Sequence, residues 1–175
     1  SSETVGLDVI KKYPPSCMLE VQLMVVFPMN YIDELAKLDY VSKIIFPFEI
    51  DGDVLESIYL IKRLNKQAGL SLNPQTPIAA ALHYFDDIDL LLLMTGNPGF
   101  SGQKLGEDIY ERIKTAKRLN NSLPIEIDIG VNFENAEKLA QAGADFLVSS
   151  SALYNEPDFK NAYERMSKLV SNTNS

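Results

Sequence analysis

Residues 90–103 read LLLLMTGNPGFSGQ, an apolar run that passes directly into a glycine-rich turn. Four consecutive leucines are typical of a parallel strand that is buried on both faces. Glycines at positions 96, 99 and 102 allow the backbone to approach a ligand closely, and the helical pattern that follows would point its N-terminus at an anion. The stretch indicates an α/β fold with a candidate phosphate-binding loop, although its spacing alone fits an ordinary tight connection equally well.

Short apolar runs alternate with amphipathic stretches along the whole chain. This alternation predicts repeated β/α units and a parallel sheet, either a (β/α)8 barrel or an open doubly wound sheet. Apolar positions recur at helical spacing from Val54 to Leu64 and from Ile109 to Leu119. We predict six strands: Leu19–Val25, Lys43–Phe48, Gly69–Leu72, Leu90–Met94, Ile125–Asp128 and Phe146–Ser149.

Several residues between these elements have the chemistry of helix ends. Gly143 is placed where a helix would end, because glycine readily adopts the left-handed conformation of a C-cap. Short polar side chains that can accept a hydrogen bond from the first helical turn are predicted N-caps; they are Asn30, Asp53, Thr76 and Asn132.

We predict a single domain over residues 1–175, and its composition is acidic. The chain has 46% hydrophobic residues and a formal net charge of −8. An acidic protein is repelled by nucleic-acid backbones and by anionic membrane surfaces, so we expect neither as a partner. Cys17 is the single cysteine and cannot form an internal disulfide. With no long apolar span in the sequence, a soluble, cytoplasmic protein is expected.

The glycine-rich segment resembles the Met-Thr-Val-x-Pro-Gly-Phe-x-Gly-Gln signature of the ribulose-phosphate 3-epimerase family. The similarity extends through nearly all of the chain, including GLSLNPQTP at 69–77 and AGAD at 142–145. The resemblance implies a (β/α)8 TIM barrel whose active site lies at the carboxyl ends of the strands. The stretch Val21–Val25 looks like the family's third strand, so we expect strands three to eight in this sequence. The N-terminal β/α units are expected either upstream of this sequence or absent from a truncated relative, and we favour the first because exposed apolar edge strands promote aggregation.

The resemblance also implies a set of site residues. The segment EIDIGV at 126–131 is similar to the family's Glu-Val-Asp-Gly-Gly-Ile, in which the aspartate is a metal ligand and one of two acid/base residues, so Asp128 is the predicted catalytic residue. Met24 and Met94 match methionines that line the sugar site. The positions that match the phosphate-binding loops are Gly99, Phe100, Ser101, Gly102, Gly130, Ser150 and Ser151.

The chain departs from the family at several of these positions. Ser101, Ile129 and Ser150 stand where the family has glycine, and a β-branched residue at 129 has little access to positive φ. The family implies a divalent metal (Zn, Fe, Mn or Co), but Gln22 replaces a histidine ligand, and an amide oxygen is a poor substitute for imidazole on a transition metal. Pro47 replaces a second active-site histidine. The only histidine, His83, is predicted to lie near the amino end of the next strand, on the wrong face for catalysis.

The function that the resemblance implies is isomerisation of a ketose phosphate within carbohydrate metabolism and the pentose phosphate pathway. We expect interconversion of ribulose 5-phosphate and xylulose 5-phosphate by metal-assisted proton transfer at C3. The alternatives are a catalytically impaired relative that binds a sugar phosphate without turnover, and an epimerase for a related ketohexose phosphate. A small-molecule sugar phosphate is the expected partner, and a homo-oligomer is the expected assembly.

Overall fold

The computed structural model describes residues 6–97 and 102–171. Within these ranges six parallel strands form one sheet, and their spatial order is their order along the chain. All six predicted strands are present, with shifted bounds at several ends. They are β1 (Leu19–Gln22), β2 (Val41–Pro47), β3 (Gln67–Leu72), β4 (Leu90–Met94), β5 (Ile125–Asp128) and β6 (Phe146–Leu147).

Helices connect the strands. A 3-10 helix, Ile78–Tyr84, joins β3 to β4, and His83 lies in it with its side chain exposed. The two helices predicted from apolar spacing are found as α3 and α4. The α-helices are α1 (Leu7–Lys12), α2 (Met29–Ala36), α3 (Val54–Arg63), α4 (Ile109–Leu119), α5 (Ala136–Ala142), α6 (Ser151–Tyr154) and α7 (Phe159–Ser171).

The sheet is strongly curved into a half-barrel. Lys43 on β2 holds its ammonium 5.1 Å from the ring centre of Phe146 on β6. These strands are four positions apart in the sheet, and in a flat sheet they would be separated by about 19 Å. Glu20 on β1 and Glu126 on β5, also four strands apart, share a side-chain hydrogen bond. The inner face therefore closes around its own side chains, as in a barrel and unlike a doubly wound sheet.

Successive residues of β4 pack into two different hydrophobic clusters, one on each face of the sheet. Leu91 and Leu93 of β4 belong to the large cluster that includes the buried faces of the helices. Their neighbours along β4 face the concave side and form a small inner cluster with Ile45 of β2; these neighbours are Leu90, Leu92 and Met94. Because both faces of β4 are buried, its sequence is continuously apolar rather than alternating.

The predicted helix ends are only partly found. The Asp53 carboxylate accepts hydrogen bonds from the Leu55 and Glu56 amides and caps α3, and Gly143 ends α5 with φ 113°. The other three predicted N-caps are wrong. Asn30 lies inside α2, the Thr76 hydroxyl donates to Glu49 Oε1 instead, and Asn132 accepts from the Glu134 amide in a turn before α5 begins.

Candidate active site

A cavity of about 300 Å³ opens at the carboxyl ends of the strands. Asp128 ends β5 on its floor, and the segments that follow β5 and β6 form its walls. Most of the predicted site residues that the structure describes are brought together here. The lining residues are Met24, Gly102, Asp128, Ile129, Gly130, Val131, Val148, Ser149, Ser150 and Ser151.

Among the described residues that line this cavity, Asp128 is the one carboxylate. It lies opposite Met94 of β4 in the parallel ladder, so its position is fixed by strand register. Burial raises the pKa of the Asp128 carboxyl above its ordinary value. A hydrogen bond of 2.7 Å from the Ile129 amide to Oδ1 acts in the opposite direction and lowers the pKa in part. A partly desolvated carboxylate with a raised pKa has the properties of a general base.

The backbone around Gly130 brings two loops of the cavity into contact. Gly130 has φ 77°, and a Cβ atom at this position would lie 2.5 Å from the Leu105 nitrogen. Only glycine therefore allows the segment after β5 to pack against the segment that contains Gly102. Thr95, at the end of β4, donates a 2.6 Å hydrogen bond to the Ile129 carbonyl and fixes the same segment from the other side.

Gln103 joins the two described ends of the loop between β4 and α4. Its Oε1 accepts a hydrogen bond of 3.0 Å from the Asn97 amide, and its Nε2 donates one of 2.7 Å to the Asn97 carbonyl. This pairing brings Gly102 to the cavity. Three predicted phosphate-binding residues of the loop, Gly99, Phe100 and Ser101, lie outside the described residues.

Ile129 adopts a backbone conformation that β-branched residues rarely occupy. Its φ is 76°, in the left-handed region that the sequence analysis expected it to avoid. The side chain packs against the inner cluster of β2 and β4, and its Cγ2 lies 2.9 Å from where a Cβ of Gly96 would be. Ile129 thus adopts a left-handed backbone conformation that would suit the family's glycine, and its β-branched side chain makes that conformation strained.

A second hollow of about 210 Å³ adjoins the first, and Met24 lines both. The predicted residues Gln22 and Met94 lie here rather than in the first cavity. The Gln22 side-chain amide donates a hydrogen bond of 3.3 Å to the Met94 thioether. Pro47, Glu49, Ser71 and Asn73 are among the other lining residues.

Glu49 supports the wall of this second hollow. Its Oε1 accepts hydrogen bonds from the Asn73 amide and the Thr76 hydroxyl. Arg112 of α4 binds the same turn from the other side, donating to the carbonyl oxygens of Asn73 and Pro74 at 3.0 and 2.5 Å. The turn after β3 is therefore held between two charged side chains that originate from different β/α units.

A cluster of ionisable side chains lies below Asp128 inside the half-barrel. Glu126 is 3% exposed and precedes Asp128 by two residues on the same face of β5. Burial, together with the hydrogen bond and the negative charge of Glu20, raises the pKa of Glu126 to about 8. Lys43 opposes this shift and forms an ion pair with Glu20 at 2.5 Å.

The side chains of the described residues do not fit the divalent metal that the resemblance implies. No group of three or more His, Cys, Asp or Glu side chains there could hold a metal ion. Asp128 is the only carboxylate in the described lining of the first cavity, and the amide of Gln22 is engaged with Met94. One carboxylate and one neutral amide are an incomplete donor set for a transition metal.

Some residues of the site were missed by the sequence analysis. Ser149 lines the cavity and donates to the Val131 carbonyl at 3.1 Å. The serine run at 149–151 is a signal for it, but the predicted strand Phe146–Ser149 includes Ser149, whereas β6 ends at Leu147. Thr95 and Glu49 act through partners that are distant in sequence, and no local pattern identifies such partners.

A curved sheet of parallel β/α units with a polar cavity at the carboxyl ends of its strands places the protein in the β/α-barrel class, whose active sites lie at this end. Residues 3–154 match the family described as "Ribulose-phosphate 3 epimerase family". The chain belongs to this family.

Curated relatives support the same assignment. The chain is 40% identical over 168 residues to ribulose-phosphate 3-epimerase of Bacillus subtilis (strain 168), a match that covers 91% of this chain and 76% of the relative. It is 32% identical over 170 residues to the protein of the same name from Escherichia coli (strain K12), covering 93% and 75%. The predicted family and the predicted enzyme class, an epimerase and therefore an isomerase, are confirmed.

Solved structures of lower sequence identity share the fold. The 3-hexulose-6-phosphate synthase from Salmonella typhimurium superposes with a TM-score of 0.67 at 16% identity, covering 95% of this chain and 78% of that one. A tryptophan synthase α-subunit from Pyrococcus furiosus gives a TM-score of 0.62 at 20% identity, covering 94% and 70%. The predicted α/β barrel architecture is confirmed at the level of six parallel strands in a half-barrel.

None of the helices within the described ranges combines the length and the apolar character that a membrane crossing requires. The numbering of the strands as three to eight, the cytoplasmic location and the homo-oligomer remain predictions.

Proposed function

We propose that the protein epimerises a ketose phosphate at C3, most simply interconverting ribulose 5-phosphate and xylulose 5-phosphate. One observation carries the proposal: the Asp128 carboxylate shares a cavity with the backbone of Gly102 and Gly130 and with Ser150 and Ser151. A base and a set of neutral hydrogen-bond donors on one wall are what a phosphorylated sugar needs in order to be held and deprotonated.

Asp128 is the proposed acid/base residue. As a base, its carboxylate takes the C3 proton. The electron pair of the C3–H bond becomes the C2–C3 double bond of an enediolate, and negative charge moves to the C2 oxygen. Return of a proton to the opposite face of C3 by a second acid gives the other epimer. The resemblance assigns that second acid to a strand that precedes the six strands of this sequence.

The phosphate group is proposed to bind at the wall formed by Gly102, Gly130, Ser150 and Ser151. No lysine or arginine is among the described residues that line this cavity. Backbone amides and serine hydroxyls can bind a phosphate by hydrogen bonds alone, particularly where glycines allow close approach. Gly99, Phe100 and Ser101 are proposed to contribute to the same wall from the loop that ends at Gly102.

The proposal contains no metal-dependent step, because the described donors do not fit a transition metal. Asp128 is the only family metal ligand found among them. The expectation of Zn, Fe, Mn or Co applies to the family rather than to these side chains.

A second candidate function is binding of a sugar phosphate without turnover. Gln22 and Pro47 favour it, because both stand where the family has an active-site histidine. A ketohexose phosphate is the alternative substrate for the catalytic function, since the same wall would hold its phosphate.

The test is exchange of the C3 proton of ribulose 5-phosphate with deuterium from solvent, followed by NMR together with xylulose 5-phosphate formation. We expect the wild-type protein to exchange the proton and Asp128→Asn to lose exchange by at least 100-fold, a typical effect of removing a catalytic base. Asp39→Asn, an exposed aspartate in the turn before β2, is the matched control and should exchange normally. Binding of ribulose 5-phosphate by the wild-type protein without exchange would contradict the proposed reaction and support the second candidate.

A further inference from the structure

Gln22 places its side-chain amide against β4, the neighbour of the strand that ends in Asp128. It ends β1 on the inner face, and its Nε2 lies 3.3 Å from the Met94 thioether. Met94 in turn pairs with Asp128 across the ladder of β4 and β5. The Gln22 amide and the Asp128 carboxylate therefore lie on the same concave face of the sheet, and Met94 of β4 lies between them.

The present partner of this amide is a weak one. A thioether sulfur is a poor hydrogen-bond acceptor, whereas a carbonyl or enediolate oxygen is a strong one. A ligand oxygen that enters the hollow beside Met94 would therefore replace the sulfur as the acceptor at little energetic cost.

The two hollows give this amide access to a bound sugar. Met24 lines both the cavity that contains Asp128 and the hollow that contains Gln22. A sugar whose phosphate lies at Gly102 and Gly130 would extend past Asp128 toward Met24 and Gln22. The carbonyl carbon adjoins the carbon that loses its proton, so its oxygen would lie on the Gln22 side of Asp128.

We propose that the Gln22 amide donates a hydrogen bond to the C2 oxygen of the ketose, and that this bond strengthens when the oxygen becomes negatively charged in the enediolate. The inference rests on the proposed function. It assigns to a neutral N–H donor the electrostatic stabilisation that the resemblance assigns to a metal ion. Asp128 takes the proton from C3, the electron pair moves toward O2, and Gln22 stabilises O2 without itself transferring a proton.

The test compares Gln22→Met with the wild-type protein. Methionine has a similar volume and preserves packing against Met94, but it has no N–H donor. The matched control is Gln67→Met, the same substitution at an exposed position where β3 begins, at the amino end of the strands. Three quantities are measured for each protein: C3 proton exchange in ribulose 5-phosphate, the affinity for ribulose 5-phosphate, and the affinity for inorganic phosphate.

We expect Gln22→Met to reduce the exchange rate about 100-fold, in the range observed when one donor to a developing oxyanion is removed. Its affinity for inorganic phosphate should stay within about twofold of wild type, and Gln67→Met should change neither quantity. Exchange in Gln22→Met within threefold of wild type, or a parallel loss of phosphate affinity, would overturn the inference.

If the wild-type protein shows no exchange, the proposed function fails, and the role of Gln22 is decided by binding. A tenfold loss of affinity for ribulose 5-phosphate in Gln22→Met, with unchanged affinity for inorganic phosphate, would support the hydrogen bond to the C2 oxygen. Equal affinities of the two proteins for ribulose 5-phosphate would overturn it.

Discussion

Thr95 Oγ1 donates a hydrogen bond of 2.6 Å to the carbonyl oxygen of Ile129, which joins the end of β4 to the strained residue after β5. This bond, together with the hydrogen bond from the Ile129 amide to Asp128, holds Ile129 at a φ of 76°. The proposed base therefore adjoins a backbone segment whose conformation is imposed by its neighbours rather than favoured by its own side chain.

Glycine should be a better replacement than alanine at position 129. Both substitutions remove the isoleucine side chain, but alanine keeps the steric conflict at positive φ that glycine lacks. We expect Ile129→Gly to be more stable than Ile129→Ala by about 1 kcal/mol in denaturant unfolding. At Ala140, inside α5, alanine should instead be more stable than glycine, because glycine is unfavourable within a helix. We expect Ala140→Gly to be less stable than wild type by about 1 kcal/mol. An alanine variant at 129 as stable as the glycine variant would show that the backbone there is not strained.

Substitution of Gly130 should be far more harmful than substitution of Gly102. Both glycines have positive φ, but an added Cβ at 130 would lie 2.5 to 2.8 Å from backbone atoms of Lys104 and Leu105, whereas at 102 no atom of the described residues lies within 4 Å. We expect Gly102→Ala to lose about 1 kcal/mol of stability from strain alone. For Gly130→Ala, displacement of the backbone should raise the loss to about 3 kcal/mol or more. Calorimetry measures both, and equal losses would contradict the predicted close contact.

The two hydrogen bonds between the Gln103 side chain and the Asn97 backbone, here called the loop clamp, should control affinity for the phosphate group. Gln103→Ala removes both hydrogen bonds to Asn97 and frees the two described ends of the loop. Two such bonds contribute about 1 kcal/mol each, so we expect the affinity for ribulose 5-phosphate to fall about tenfold or more in isothermal titration. Gln141→Ala, on the exposed side of α5, is the control. Unchanged affinity in Gln103→Ala would mean that the loop takes its binding conformation without the clamp.

The buried Glu126 should make stability depend on pH. Its folded-state pKa of about 8 lies above the ordinary value of 4.5, so the folded protein holds a proton that the unfolded chain has released. The stabilisation of the folded state by this bound proton is fully present below about pH 4.5 and is lost as the pH rises toward 8. The free energy of unfolding should fall in this window by on the order of 5 kcal/mol, relative to Glu126→Gln. Glutamine keeps the shape and an amide donor but does not titrate, so parallel stability curves for the two proteins would refute the assignment.

Local sequence patterns predicted the central strands well and the peripheral ones less well. The apolar runs of β4 and β5 end in the structure where they were predicted to end, at Met94 and Asp128. The predicted first strand continued to Val25, but β1 ends at Gln22. This strand and β6 pair with a neighbour on one side only, so fewer ladder hydrogen bonds hold their last residues in strand geometry.

Local sequence patterns also predicted only part of the candidate site. Asp128, Gly130 and the serines after β6 could be predicted to meet, because the carboxyl ends of parallel strands lie at one edge of a sheet. The contact of Gln22 with Met94 could not be predicted, since it depends on the curvature that brings β1 toward β4. The φ of Ile129 was likewise beyond local rules, because Thr95 and Asp128 impose it from other parts of the fold.

The absence of cationic side chains from the described lining of the cavity has a consequence for ionic strength. A phosphate dianion that approaches a protein of net charge −8 is repelled at long range, and dissolved salt screens that repulsion. Hydrogen bonds from amides and hydroxyls are less sensitive to screening than ion pairs to lysine or arginine. Moderate amounts of sodium chloride should therefore speed capture of the substrate, whereas they would slow capture by a site that attracts its ligand with positive charge.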